Sequence, residues 1–165
     1  MEALIKNLET ILENELVLHE QLLEAAEELN SAIKKEDLAG VGKAGRKHDE
    51  LTCHIEAVEE KRLAANDELA RHLGVTLHAN LFRIIELLPV HLSAKLSDLR
   101  TRLKSTMGGI KKTTTSNRIL LNESLYTIAK TFELIDGATA KPMVYKYQGQ
   151  KAPARINRTI INTIA

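Results

Sequence analysis

One apolar stripe runs in unbroken helical phase from residue 89 to residue 136 and changes character midway. In its first part, leucines recur at steps of three and four residues: Leu92, Leu96, Leu99 and Leu103. In its second part, weaker residues keep the same rhythm: Thr106, Ile110, Thr113, Asn117, Leu120 and Ser124. We therefore predict one long helix whose first half packs permanently on a partner helix and whose second half suits a partner that binds and leaves.

Two further long helices are predicted ahead of this one. The first runs from near Glu2 to about Lys34, and its apolar face is wide enough for two neighbouring helices. The second begins after Asp37, a favourable N-cap residue, and continues to Leu73. Gly74 then ends it, because glycine readily adopts the left-handed conformation at a helix C-terminus.

The second helix has an apolar stripe of its own: Leu38, Val41, His48, Leu51, Ile55, Val58, Ala65, Leu69 and Leu73. A short third segment follows, for which Thr76 is the expected cap, and it ends at Pro89 because proline cannot continue a helix without losing a hydrogen bond. Gly108 and Gly109 are poor helix formers within the last helix. Since the apolar phase continues across them, we expect a bend or a dynamic section there and no loop.

The predicted fold class is all-α: an antiparallel helical bundle or coiled coil of three long helices plus a short helix. We predict that residues 1–136 form the helical bundle domain. The composition changes beyond them, since residues 137–165 contain no acidic side chain, several Lys and Arg residues and two prolines. Such a sequence predicts a basic, mostly flexible C-terminal tail.

Composition narrows the class of protein. Only 3% of the residues are aromatic, so aliphatic residues carry the burial, as they do in helical bundles. Cys53 is the single cysteine, which excludes an internal disulfide and fits a reducing compartment. No signal peptide or membrane-spanning run is recognisable, and we expect a cytoplasmic protein without membrane insertion.

Charge is balanced over the whole chain, with a net value of +1, but it is unevenly distributed. The first helix is rich in Glu, whereas residues 95–130 lean toward Lys and Arg. The two helices should therefore pack with complementary charges. The basic residues are diluted by Thr and Ile and lack interleaved aromatics, so nucleic acid is not an expected partner.

Candidate chemistry is sparse. His48, Cys53 and His54 are the closest set of metal-ligating types, but their spacing scatters them around the helix. There is no Glu-x-x-His pair, no nucleophile elbow and no glycine-rich cofactor loop. We predict no enzymatic activity, no metal and no cofactor.

Two stretches resemble a known family. The run from Asn117 to Leu121, followed by Ser124 and Leu125, is similar to an Asn, Leu-Leu, Ser-Leu signature late in the last helix of the FlgN-type flagellar export chaperones. Tyr145 with Gly149 resembles the tail of that family, although Lys146 stands where a glycine is usual. The resemblance extends over nearly the whole chain.

The resemblance implies a small helical chaperone for type III protein export. Such a protein binds the C-terminal helices of hook-filament junction proteins, prevents their premature assembly and delivers them to the flagellar export gate or its ATPase complex.

The resemblance and the stripe together suggest two sites. For client binding, we expect the client helix to lie along the late part of the last helix, on Asn117, Leu120, Leu121, Leu125, Ile128 and Phe132. For docking at the export gate, we expect Tyr145 and Gly149 to act, because tyrosine is a favourable anchor in transient interfaces.

Alternatives remain open at this point. The late leucines can also be internal core against the first helix, and the tail tyrosines can be solvated. A protein of a different class, a structural or adaptor coiled coil that self-associates through the same stripe without a secretion role, fits the same pattern. Weak homodimers are compatible with either function.

Overall fold

The computed structural model describes residues 1–76 and 79–136, and these residues form four helices without a strand. The helices are α1 (Glu2–Lys34), α2 (Leu38–His72), α3 (Leu81–Leu87) and α4 (Val90–Asp136). The predicted all-α fold class is confirmed. None of the helices in this part of the chain is both long enough and apolar enough to cross a membrane.

The chain divides into two compact units, Met1–Ile128 and Ala129–Ala165. The helical bundle belongs to the first unit. Of the second unit, the described part is the end of α4, residues 129–136. The predicted tail, residues 137–165, lies outside the described residues.

α1 and α2 form an antiparallel hairpin around a tight turn. Glu36 has a φ of 57°, and the backbone N–H of Asp37 donates to the carbonyl of Ala32 at 3.0 Å. The Asp37 carboxylate then accepts the N–H of Gly40 at 3.0 Å, as expected for the N-cap of α2. At the other end of α2, Gly74 has a φ of 69°, which confirms the predicted stop.

The apolar faces of α1 and α2 largely confirm the predicted stripes. The buried members are Ile5, Leu8, Leu12, Leu16, Leu22 and Ile33 of α1, and Leu51, Ile55, Val58, Ala65 and Leu69 of α2. Leu38 was assigned to the second stripe, and that assignment is wrong, because its side chain is 85% exposed. It is the first residue of α2, beside the turn, where α1 has already ended.

The cap predicted for α3 is also wrong. α3 begins at Leu81, and its N-cap is Asn80, whose side chain accepts the N–H of Arg83 at 2.8 Å. Thr76 precedes this helix and does not cap it. The predicted break at Pro89 is confirmed, since α4 starts directly after it and the Pro89 carbonyl accepts the N–H of Ser93 at 3.0 Å.

α4 runs alongside α1 in the same direction. Lys95 pairs with Glu13 near the start of both helices, and Asn117 contacts Asn30 near the end of α1. The three long helices therefore run up, down and up, so that each is antiparallel to the next in sequence. α4 continues without interruption through Gly108 and Gly109, which confirms that no loop forms there.

Candidate functional site

Burial divides α4 into two parts. Leu96, Leu99 and Leu103 are buried in the same apolar cluster as Leu8 and Leu12 of α1. The predicted packing of the first half of the stripe on a partner helix is therefore confirmed, with Leu92 partly buried beside this cluster. Farther along, the last buried residue of the described part of α4 is Asn117, with 4% of its side chain exposed.

Asn117 joins α4 to α1 through its side-chain amide. Its Nδ2 donates to the carbonyl oxygen of Ala26 at 2.8 Å, and its Oδ1 accepts from Asn30 Nδ2 at 2.7 Å. Asn30 Nδ2 also lies 3.4 Å from the hydroxyl of Ser116. Asn117 was predicted to bind a client, but in this structure its amide is occupied within the bundle.

Beyond Asn117, apolar side chains of α4 become exposed. Leu120 is half-buried, whereas Leu121 is 36% exposed, Leu125 62% and Ile128 51%. Asn117 lies level with residues 26–30 of α1, and both helices rise about 1.5 Å per residue, so α1 ends level with about residue 123 of α4. The exposure begins where α1 can no longer cover α4.

The spacing of these residues places them on one side of the helix. Leu121, Leu125 and Ile128 follow at steps of four and three residues, which align along one face. We call these three side chains the α4 apolar face. Core packing against α1 is therefore the wrong alternative for Leu125 and Ile128, which are more than half exposed.

The remaining predicted site residues belong to the second unit of the chain. Phe132 is 65% exposed. Tyr145 and Gly149, predicted to dock at the export gate, lie outside the described residues.

Ion pairs at the surface link α4 to α1. Lys95 Nζ lies 2.8 Å from Glu13 and 3.4 Å from Glu9, and Arg102 lies 3.3 Å from Glu20. Hydrogen bonds to Glu13 and then to Glu9 raise the pKa of Lys95 above its ordinary value. The predicted charge complementarity between the two helices is confirmed.

One polar cluster was missed by the sequence analysis. Glu15 is buried between α1 and α2, with Arg62 Nε 2.9 Å from its carboxylate and His19 Nδ1 2.8 Å from its backbone carbonyl. Burial raises the pKa of Glu15, while the Arg62 charge opposes that shift. A signal for this cluster existed, because Glu15 and His19 keep the three- and four-residue steps of the buried α1 stripe.

Among the described residues, no group of three His, Cys, Asp or Glu side chains is placed to hold a metal ion. Cys53 is a free, exposed thiol.

Comparisons with known proteins agree with the family resemblance. The family model described as FlgN protein matches residues 1–153. No curated protein and no solved structure matched this chain. The match covers nearly the whole sequence, including all of the described helices. The chain therefore belongs to the FlgN family of flagellar export chaperones.

Proposed function

We propose that this chaperone binds the C-terminal helices of hook-filament junction proteins through the α4 apolar face. FlgN-family chaperones bind flagellar substrate proteins, so a partner of that general kind follows from the family. The observation that supports this particular surface is the exposure of Leu121, Leu125 and Ile128 on a helix whose earlier stripe is buried.

The chemistry of the face suits an amphipathic helix. Apolar side chains at i, i+4 and i+7 are the usual anchors for a helix that lies along a partner helix. Polar residues at positions 122, 123 and 124 separate the anchors and keep the uncovered face compatible with water. A face of this kind favours reversible association over permanent packing.

Capture of the client helix would account for both tasks of the chaperone. A client whose C-terminal helix is covered cannot use that helix to assemble with other subunits in the cytoplasm. Delivery requires a second contact, to the export gate or its ATPase complex, and for this we propose Tyr145 and Gly149.

The test is a calorimetric titration of the full-length chaperone with the C-terminal helical segment of a hook-filament junction protein. We expect a one-to-one complex with a negative heat-capacity change, because apolar surface is buried. The variant for comparison is Leu121→Ala/Leu125→Ala. The exposed fractions of these side chains, 36% and 62%, add up to about one whole leucine, and burial of a leucine contributes about 2 kcal/mol.

The expected effect is therefore a rise in Kd of about 10- to 30-fold for the folded variant. The covered parts of the two side chains also contribute to stability, so urea unfolding is measured in parallel to show that the variant is folded under the titration conditions. Leu63→Ala is the matched control, because Leu63 is a half-exposed leucine on α2, away from the α4 apolar face, and it should bind as the parent does. An unchanged Kd in the folded α4 variant would contradict the proposal.

Self-association is the competing function of the same face. Sedimentation of the free chaperone and of Leu121→Ala/Leu125→Ala distinguishes the two. A dimer that these substitutions abolish, combined with no client binding at tens of micromolar, would instead favour a coiled-coil adaptor.

A further inference from the structure

We propose that Asn117 and Asn30 act as a register lock, which fixes where α4 leaves α1 and keeps Leu121 available on the surface. The effect on client binding rests on the proposed function, whereas the effect on helix register does not. Asn117 is thus a positioning residue and not a client contact.

The hydrogen bonds of the register lock are specific to one alignment of the helices. The buried Asn117 amide uses its Nδ2 on the Ala26 carbonyl and its Oδ1 on Asn30. A buried amide is tolerated when its donor and acceptor are both paired, as they are here. Displacement of α4 along α1 would separate all of these atoms at once.

A competing alignment exists because leucines follow Asn117 directly. If α4 shifted by three or four residues, Leu120 or Leu121 would take the place of Asn117 against α1. Apolar burial favours that shift, since Leu121 is 36% exposed in the observed alignment. A shift of four residues would also remove Leu121 from the α4 apolar face.

The segment that would have to yield lies between Leu103 and Asn117. Leu103 is buried, so the first half of α4 stays in place. Between the two residues lie Gly108, Gly109 and three consecutive threonines at positions 113–115, all of them poor helix formers. Extra residues can bulge out there more easily than elsewhere in the helix.

The register lock opposes this shift because the shift would break the hydrogen bonds of Asn117 to Asn30 and to the Ala26 carbonyl. With Leu120 or Leu121 in the place of Asn117, the Asn30 amide would face an apolar side chain. A leucine at position 117 would stabilise the observed alignment no better than the shifted one, because nonpolar contacts are not directional. Single polar pairs are known to set helix register in this way in coiled coils.

The experiment measures register directly in the full-length protein. Spin labels are attached to Cys53, which is exposed on α2, and to a cysteine introduced at Glu123, which is exposed on α4. We expect a single distance in the parent. In Asn30→Leu/Asn117→Leu we expect a second population, displaced by about 4.5–6 Å along the helix axis, which corresponds to three or four residues.

Client affinity is the second readout. In unlabelled Asn30→Leu/Asn117→Leu, Kd for the client helix should rise at least about ten-fold, although the helices still unfold cooperatively. Asn30→Ala is a milder variant that serves if the double variant does not fold, and it should show the same two effects in smaller measure. Thr113→Leu is the matched control, because Thr113 is half-buried one helical turn earlier on the same stripe and makes no hydrogen bond to α1 within the described residues.

The outcomes separate the two proposals. A single, unchanged distance in the asparagine variants overturns the register lock, as does an equal displacement in Thr113→Leu. A displaced distance with unchanged client affinity overturns the link to client binding. If Leu121→Ala/Leu125→Ala retains full affinity, the proposed client surface fails, and the register lock is decided by the distances alone.

Discussion

Replacement of Arg62 by Met tests the buried ion pair between α1 and α2. Arg62 Nε lies 2.9 Å from one carboxylate oxygen of Glu15 and 3.2 Å from the other. The Glu15 side chain is 2% exposed and that of Arg62 20%. Methionine retains part of the aliphatic length of arginine, so the substitution removes mainly the charge.

The magnitude follows from the burial of Glu15. Removing one partner of a buried ion pair costs about 3–5 kcal/mol, because the other charge remains buried without compensation. Since Arg62 itself is partly exposed, we take the lower end, about 3 kcal/mol at pH 7. In a chain of this size that loss lowers Tm by about 6–12 °C.

The pH dependence has a definite sign. Burial raises the pKa of Glu15 above its ordinary value of 4.5, so the folded chain holds this proton more tightly than the unfolded chain. Stability therefore falls as the pH rises through the window between 4.5 and the raised pKa. Without Arg62 the pKa rises further, so the loss in Arg62→Met should be largest at pH 7 and should shrink toward pH 5.

The assay is urea unfolding of the parent and Arg62→Met at pH 5 and pH 7. Lys47→Met is the matched control, because Lys47 also joins α2 to α1, at 3.1 Å from Glu28, but both side chains are substantially exposed. Its loss should be below about 1 kcal/mol. Adding Glu15→Gln to Arg62→Met should restore much of the lost free energy of unfolding, because it removes the buried charge that Arg62 no longer compensates. A loss in Arg62→Met that is independent of pH, or no larger than that of Lys47→Met, would refute the reasoning.

Two further predictions concern the packing of glycines in α4 and the role of Tyr145 at the export gate. Gly108→Ala should stabilise the protein by up to about 1 kcal/mol in urea unfolding, because a Cβ at this position meets open space. Gly109→Ala should give a smaller gain or a loss, because its Cβ would lie 3.3 Å from Leu23 Cδ2. Equal gains in the two variants would contradict the close approach of Leu23 to Gly109. Tyr145→Ala should leave the calorimetric client affinity unchanged while reducing client secretion in a flagellated cell, and normal secretion would exclude export-gate docking by Tyr145.

Much of the fold could be predicted because its helix ends have strong local signals. Asp37 and Gly74 are residue types that favour one position at a helix end, and both act as predicted. The start of α3 was missed because Thr76 and Asn80 are both acceptable N-caps. The choice between two such caps depends on packing between distant segments, which the local sequence does not contain.

The proposed client surface was only partly predictable for a related reason. Periodicity identified Asn117 and Leu121 as members of a late stripe but could not separate residues that face α1 from residues that α1 leaves exposed. That separation depends on where α1 ends beside α4. It is set by contacts such as the one between Asn30 and Asn117, which are 87 residues apart. Glu15 lies on the buried α1 stripe and could have been noticed, but the same limit hid its partner Arg62, which lies on another helix.

The parallel course of α1 and α4 also has a kinetic consequence. The turn at residues 35–37 brings α1 and α2 together through contacts that are short in sequence, whereas α4 meets α1 across 82 to 91 residues. Closing a long loop costs more entropy than closing a short one, so sequence-local contacts form earlier in folding. α4 should therefore dock last, on a hairpin that already exists, both during synthesis and during refolding. If the α4 apolar face binds the client as proposed, a newly made chain would complete its client surface only at the final step of its own folding.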